Sequence, residues 1–444
     1  MIQRMGKALA AWAGRYMPDP FIFAVLLTFV AFGLGLAFTD SGAMELVRAW
    51  GEGFWGLLAF GMQMCLILIT GHALATSPPV RKMVNLLADI PRTGGQAVIL
   101  VALTACVLGL VNWGLGLIVG ALFAREVGLR AEANGIRAHY PLVCAAGYAG
   151  LLVWHGGLSG SAPLLIATEG HFLQETIGVI PVVQTLYSPL NVAVALSLLI
   201  AVPIILWAMN PSAVESQGAS RFGVVTDQSD AETDGDERTP AARLERSRVL
   251  SLLIGIPGIV VVVHHFATKG LSLNLNLVNF TFLFLGILLH RSPRDYIHAV
   301  GDGARACAGI ILQFPFYAGI MGIMQGSGLL EVLVGAAVQI SGPRSFPLIT
   351  FLSAGIVNVF IPSGGGQWAV QGPVVAEAAK SIGVPLSKAV MAFSYGDEWT
   401  NMFQPFWALA LLGITGLKAR DIMGYTMMVL FATVFVFAFW LLVM

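Results

Sequence analysis

Residues 97–124 read AVILVALTACVLGLVNWGLGLIVGALFA, and residues 345–380 read SFPLITFLSAGIVNVFIPSGGGQWAVQGPVVAEAAK. Each is an apolar stretch broken near its middle, the first by Asn112-Trp113-Gly114-Leu115-Gly116 and the second by Pro362-Ser363-Gly364-Gly365-Gly366-Gln367. A bilayer-crossing helix takes about 20 mostly apolar residues, so the first stretch is too short to cross twice. A break at membrane depth leaves backbone N–H and C=O groups that only protein, water, an ion or a substrate can satisfy. Both stretches are therefore read as re-entrant hairpins; the alternative for the first is one long tilted helix with a glycine kink.

The basic residues decide between these. Nine further apolar runs, at roughly 20–38, 51–75, 141–168, 187–209, 249–268, 273–290, 303–327, 389–416 and 424–443, read as transmembrane helices. If both hairpins return to their own side, 19 of the 24 Lys and Arg lie inside and only Arg48, Lys269, Arg344, Lys380 and Lys388 lie outside. A single crossing at 97–124 would send Arg125, Arg130 and Arg137 outward while Arg81, Lys82 and Arg92 stayed in, against the positive-inside bias. The reading places the N-terminus in the cytoplasm and the C-terminus in the periplasm. The first apolar run lacks a clear small-x-small cleavage site after Phe38, so it reads as an uncleaved helix.

Composition agrees. Of the 444 residues, 57% are hydrophobic and 11% charged, with a mean hydropathy of +0.80. Lipid must be the solvent for most of such a chain. A net charge of zero excludes a basic nucleic-acid binder. The four cysteines stand alone in apolar runs and read as core residues. Residues 210–248 form the one long polar, charge-rich stretch, expected to be a disordered cytoplasmic linker.

Landmarks on either side of that linker recur in the same order. Gly51-Glu52-Gly53 is echoed by Gly301-Asp302-Gly303, Asn112 by Asn358, Tyr140-Pro141-Leu142 by Val384-Pro385-Leu386, and Pro163 by Pro405. The expected architecture is an all-α polytopic membrane protein of about nine transmembrane helices plus two re-entrant hairpins. Residues 1–209 and 269–444 form two repeats, and the unpaired span 249–268 makes the second enter from the opposite face. Such inverted-topology repeats are associated with secondary transporters.

The breaks carry the chemistry. A half-helix starting at Gly364-Gly365-Gly366-Gln367 presents free N–H groups and a positive dipole end, which suits a carboxylate. It lacks the Lys and following Ser/Thr of a phosphate-binding loop. Asn112 and Asn358 offer side-chain carbonyls, beside unwound backbone at Gly114 and Gly116, to a small cation such as Na⁺. Two further breaks lie in long spans, around His155–Pro163 and around Asp397–Pro405. Asp397 and Glu398 are adjacent carboxylates deep in a span, and mark an ion or proton site. His155, in the matching break, is read as a substrate or proton ligand, or as a hydrogen-bonded core histidine. Trp113, Trp154, Trp368 and Trp399 adjoin breaks and could wall a pocket for a short alkyl chain.

With those residues read, Pro18–Ala24, Tyr148–Pro163, Asn358–Pro373 and Ser394–Pro405 resemble the short-chain fatty acid uptake transporters of bacteria, with PSGGGQWAVQGP the most specific run. That family is similar to a larger group of anion transporters that includes C4-dicarboxylate and p-aminobenzoyl-glutamate carriers. The resemblance implies a homodimer in the inner membrane, a scaffold with a mobile domain, and acetoacetate, butyrate or similar monocarboxylates as substrates. It also implies coupling to Na⁺ or H⁺, with no other cofactor.

The reading that follows is a symporter, not an enzyme. Ser363, Gln367, Thr400, Asn401 and Gln404 are expected to donate to the substrate carboxylate, with Ser159, Ser161, His155 and Trp399 completing the pocket. Asp397, Glu398, Asn112 and Asn358 are expected to serve the coupling cation or proton. A C4-dicarboxylate or other organic anion is the alternative substrate, although the breaks hold no Arg or Lys for a second carboxylate. A remote alternative is an intramembrane serine hydrolase built on Gly157-Leu158-Ser159-Gly160 and His155. A Ser–His dyad needs the two side chains in contact.

Overall fold

The computed structural model describes residues 2–16, 18–167, 169–171, 173–224, 239–270, 275–305, 307–362 and 364–444. The first half contains α1 (Ile2–Tyr16), α2 (Pro20–Phe38), α3 (Ala43–Gly53), α4 (Leu58–Thr76), α5 (Pro78–Ala88), α6 (Gly94–Val111), α7 (Trp113–Ala133), α8 (Tyr140–Tyr148), α9 (Ser161–Ile166), α10 (Gln174–Ile177) and α11 (Pro189–Ala208). After α12 (Pro240–Glu245) and α13 (Arg248–Lys269) come α14 (Leu275–Leu289), α15 (Pro293–Arg305), α16 (Ala308–Gly326), α17 (Leu329–Gln339), α18 (Phe346–Phe360), α19 (Gly364–Ile382), α20 (Leu386–Thr400), α21 (Pro405–Thr415) and α22 (Ala419–Val443). Among the described residues no strand is present. The protein is an all-α, multi-pass membrane protein.

Element order repeats across the halves. The series α2 to α7 is followed by an interrupted segment and α11; the series α14 to α19 is followed by an interrupted segment and α22. Gly109, Asn112 and Gly150 recur as Gly355, Asn358 and Gly396, each 246 residues further on, and they do the same work. A Cβ on Gly150 would lie 2.4 Å from the Ala105 carbonyl oxygen, and one on Gly396 would lie 2.0 Å from that of Phe351, again 246 residues on. In both halves a glycine lets the interrupted helix lie backbone-to-backbone on the hairpin's first arm, the close packing that small residues permit inside a bilayer.

Seven helical segments among the described residues are long and apolar enough to cross a membrane, where nine were expected. The difference lies in the breaks. The run 51–75 is divided into α3 and α4, and 389–416 into α20 and α21, while 273–290 gives the 15-residue α14. One of the seven, α6, is a hairpin arm. Both hairpins form, with arms longer than the apolar runs suggested. The first is α6 and α7, where Gly116 packs on Gly109 and Gly120 on Ala105. The second is α18 and α19, braced by Gln367 Nε2 donating to the Ala354 carbonyl at 2.8 Å.

The caps explain where helices restart. Thr93 Oγ1 accepts from the Gln96 N–H to start α6, Asn112 Oδ1 from Leu115 to start α7, and Ser188 Oγ from Asn191 to start α11. Proline opens α2, α5, α11, α12 and α21, where its missing N–H costs nothing.

The expectation of disorder over 210–248 fails for its first part, since residues 211–224 are laid against the basic face of the molecule. Gln217 bridges the strap to the first half: its N–H donates to His139 Nδ1 at 3.2 Å, and its carbonyl accepts from the Tyr140 N–H at 2.8 Å. Ser220 donates its N–H and hydroxyl to Glu132, while Ala219 and Val224 are buried. A few apolar residues in the right register suffice to dock it. Residues 225–238 of the expected linker lie outside the described residues.

Two predictions follow from this packing. A Cβ on Gly157 would sit 2.2 Å from the Leu110 carbonyl oxygen, whereas one on Gly33 meets nothing within 4 Å. Gly157→Ala should destabilise by about 1–3 kcal/mol and lower the thermal-unfolding midpoint in detergent, while Gly33→Ala should not. His139 Nε2 lies 2.8 Å from the Tyr425 hydroxyl, and burial together with Arg221 pushes the imidazole down to about 4. Its neutral form holds the strap, so that stability is lost as pH falls from the ordinary histidine value of about 6.5 toward 4. Proteolysis of the 211–238 segment should accelerate between pH 7 and pH 5, and His139→Gln should flatten that dependence.

Candidate functional site

The interrupted segments of the two halves meet at the centre of the protein. In the first, α8 gives way to short 3-10 turns at Ala149–Leu152 and Trp154–Gly156 before α9. In the second, α20 ends at Thr400 and α21 begins at Pro405. His155, fully buried, places Nε2 2.8 Å from Asp397 Oδ1, and its N–H donates to Glu398 Oε2 at 2.7 Å. The Ser161 N–H donates to His155 Nδ1 at 3.3 Å. Nδ1 is therefore an acceptor, so Nε2 carries the proton and donates it to Asp397. Asp397 and Glu398 are each 1% exposed, and among the described residues no arginine or lysine pairs with either.

The carbonyls freed by the second break are satisfied by side chains from α8 and α22. Tyr148 donates its hydroxyl to the Asn401 and Gln404 carbonyls at 2.7 and 3.1 Å, and Thr426 donates to that of Met402 at 2.6 Å. Gln404 Nε2 donates to the Val359 carbonyl at 2.6 Å, while its Oε1 accepts from Tyr317 and from the Phe406 N–H. The first break is held by Asn191, which donates to the Gly156 and Leu186 carbonyls and accepts from Tyr395.

Asn358 donates its amide to the Asp397 carbonyl at 2.7 Å, to Asn401 Oδ1 at 2.8 Å and to Thr400 Oγ1 at 3.0 Å. The Asp397 carbonyl can only accept, so the amide nitrogen faces it and Asn358 Oδ1 points elsewhere. Four buried polar atoms here have no hydrogen-bond partner: the acceptors Asn358 Oδ1, Asp397 Oδ2 and Gln367 Oε1, and the donor Asn401 Nδ2. The Trp154 indole N–H, also without a partner, lies beside them. Such atoms are rare in a folded interior and mark places where an ion, water or ligand belongs.

The start of α19 reaches the same point. A Cβ on Gly364 would lie 2.5 Å from His155 Cε1 and Nε2 and 3.2 Å from Trp154, so only glycine lets the second hairpin tip touch the histidine. Trp113, Trp154 and Trp407 form an aromatic group alongside, with centroids 5.2–6.3 Å apart.

The structure brings His155, Asp397, Glu398, Asn358, Asn401 and Gly364 together, and it redistributes other expected roles. Gly114 and Gly116 lie inside α7, which restarts at Trp113, so their carbonyls belong to the helix; Asn112 alone is non-helical at that tip. Asn112 Oδ1 is engaged in capping, which leaves Asn358 as the asparagine with a carbonyl oxygen to spare. Gln367, Thr400 and Gln404 spend their donors on protein carbonyls and on Gln371, so they brace the hairpin and do not offer N–H or O–H to a carboxylate. Trp399 donates to the Leu430 carbonyl and packs on Phe351, away from the histidine. Ser159 Oγ accepts from the Trp113 N–H and ties the break to the first hairpin tip. Ser161 contributes its backbone N–H to His155. Among the described residues no hydrogen bond joins Ser159 to His155, so the hydrolase dyad is not assembled. Gly365 and Gly366 sit in the first turn of α19, and Ser363 lies outside the described residues. Sequence reasoning missed Tyr148, Tyr317, Tyr395 and Asn191; their signal is a polar group in an apolar span near a break whose carbonyls need donors.

The chain is similar to several known proteins. A solved structure, the YdaH transporter of Alcanivorax borkumensis, is similar over 96% of this chain and 97% of its own, at 15% identity and a TM-score of 0.44. A protein of Escherichia coli K12, provisionally named a short-chain fatty acid transporter, is 43% identical over 425 residues, 96% of each chain. One of Haemophilus influenzae with the same provisional name is 43% identical over 445 residues, 98% of each chain. The profile of the family described as short chain fatty acid transporter matches residues 1–444, and the chain belongs to that family of membrane transporters.

Proposed function

We propose that the protein is a secondary active transporter that imports short-chain monocarboxylates such as acetoacetate or butyrate by symport with protons. In this reading it works as an inner-membrane homodimer, with the N-terminus cytoplasmic and the C-terminus periplasmic. The two halves are inverted repeats that alternate access to the central site, and the family sits within the larger group of anion carriers.

The observation that carries the reading is the pair of adjacent buried carboxylates, Asp397 and Glu398, held against a neutral histidine from the other half. Each uncompensated charge in such a place costs several kcal/mol, so the empty carrier favours taking up a proton. Donors and acceptors without protein partners then sort into two sets. Asn401 Nδ2 and the Trp154 indole N–H suit a carboxylate, and the tryptophans suit its alkyl tail. The lack of an Arg or Lys pairing there favours one carboxylate over the two of a C4-dicarboxylate. In this reading the two charges are interdependent, because the proton would sit across the His155–Asp397 contact between the halves.

A second reading has one observation in its favour. Asn358 Oδ1 and Asp397 Oδ2 are acceptors without partners, the kind of oxygen pair that begins a Na⁺ site. No group of three or more His, Cys, Asp or Glu able to hold a metal is present among the described residues, so Na⁺ would rely on carbonyls.

In proteoliposomes, an inward proton gradient should drive labelled butyrate accumulation, and a Na⁺ gradient alone should not; the reverse outcome would replace H⁺ by Na⁺. Asp397→Asn keeps the shape and an acceptor for His155. It should reduce gradient-driven accumulation by more than about tenfold, a change of 1.4 kcal/mol, while butyrate counterflow stays within a few-fold of wild type. Succinate transport with no butyrate movement would overturn the monocarboxylate assignment.

A further inference from the structure

A cavity of about 160 Å³ lies between the end of α4, α5 and the last turns of α7. Arg81, Arg125 and Arg130 line it, and Glu126 is the one acidic residue among its walls. Arg130 is held by Glu126 at 3.1 Å and by Asp89 at 3.8 Å, which fixes its guanidinium at the rim. Asn85 also lines the cavity, and its buried Oδ1 has no hydrogen-bond partner. The walls thus offer positive charge together with one acceptor that wants an O–H or N–H.

Helix α5 shows what lies outside. It follows α4 directly and precedes α6, two apolar helices, so it sits at the membrane surface. Arg81, Val84 and Asn85 face the cavity. Met83, Leu86, Leu87 and Ile90, spaced at helical intervals, are exposed on another face. Such a two-faced helix at a bilayer surface lies in the headgroup boundary with its apolar side among acyl chains. A basic pocket between membrane helices, opening beside an apolar stripe, has the polarity of one anionic lipid, phosphate inward and chains outward.

We infer that this cavity binds an anionic phospholipid whose headgroup bears a free hydroxyl. The phosphodiester sits among Arg81, Arg125 and Arg130, the hydroxyl donates to Asn85 Oδ1, and the acyl chains cover Met83, Leu86 and Leu87. Inorganic phosphate lacks the acyl chains, and phosphatidylcholine lacks a headgroup O–H or N–H for Asn85. The lipid would pin α5 to α7, and so anchor the base of the first hairpin to the bilayer surface.

The test uses the purified full-length protein, delipidated in detergent. Phosphatidylglycerol should raise the thermal-unfolding midpoint by at least about 3 °C, whereas phosphatidylcholine and inorganic phosphate should not. In the double variant Arg81→Gln/Arg125→Gln the shift should disappear, and in Arg92→Gln, which lies outside the cavity, it should persist. Equal shifts from phosphatidylcholine would overturn the proposal, and so would a matching shift from phosphate alone. An undiminished phosphatidylglycerol effect in the double variant would also overturn it, and the wild-type comparison stands even if that variant does not fold.

Discussion

The contact between His155 and the Asp397–Glu398 pair is the constraint on which the centre of this protein depends. It joins the two halves at the one depth where neither has continuous helix, and it places three titratable groups out of reach of solvent. Burial of that kind persists only if the surroundings are built around it. The consequences can be traced outward. Gly364 must be glycine for α19 to approach the imidazole, and Asn191 must hold the Gly156 carbonyl beside the histidine. Asn358 in turn must secure the start of the carboxylate break through the Asp397 carbonyl and Asn401.

The glycines explain how two broken helices lie so close without clashing. Gly120 and Gly147 each approach the other's carbonyl oxygen, and Gly109 faces that of Gly150, so the first hairpin and α8 form one slab. In the second half Gly355 and Gly396 play the corresponding part on α18 and α20. Apolar attraction between helices is weak in lipid, and close backbone approach supplies dispersion in its place. The slabs meet at the histidine and at the hydrogen bonds from Tyr148 to the Asn401 and Gln404 carbonyls.

Much of this was legible in the sequence. Hydropathy and the sorting of basic residues located the hairpins, because a backbone break in lipid is costly enough to leave a mark in composition. The adjacency of Asp397 and Glu398 stood out for the same reason. What could not be read was the division of labour among amides and hydroxyls. Gln367, Gln404 and Thr400 look identical in kind to Asn401 along the chain, yet only Asn401 keeps an unpartnered donor. The difference lies in which carbonyls fall within 3 Å once the helices pack, a tertiary fact with no local signature. Gly114 and Gly116 misled in the opposite sense. Glycine beside asparagine suggests unwinding, but a well-capped restart at Asn112 lets α7 begin at once, and Gly116 serves packing against Gly109. The docking of residues 211–224 was hidden because a charged composition describes the average of a segment, while two buried residues and one glutamate decide its path.

The two halves share the spacing of their glycines and breaks and are unequal in chemistry. The counterpart of His155, at the same offset of 246 residues as the paired glycines, is Asn401; the counterparts of Asp397 and Glu398 are Leu151 and Leu152. Had both breaks carried carboxylates, the centre would hold four negative charges with nothing opposite them. Had neither, nothing in it would respond to a proton. One half supplies acids and the other a histidine whose ring and backbone N–H both donate to them, so the acids find these donors only across the seam. A repeat that had stayed chemically symmetric would bind its cargo equally well from either arrangement, and a ligand without differential affinity moves no equilibrium. The asymmetry at positions 151, 152 and 155 against 397, 398 and 401 is where two similarly built segments part in chemistry.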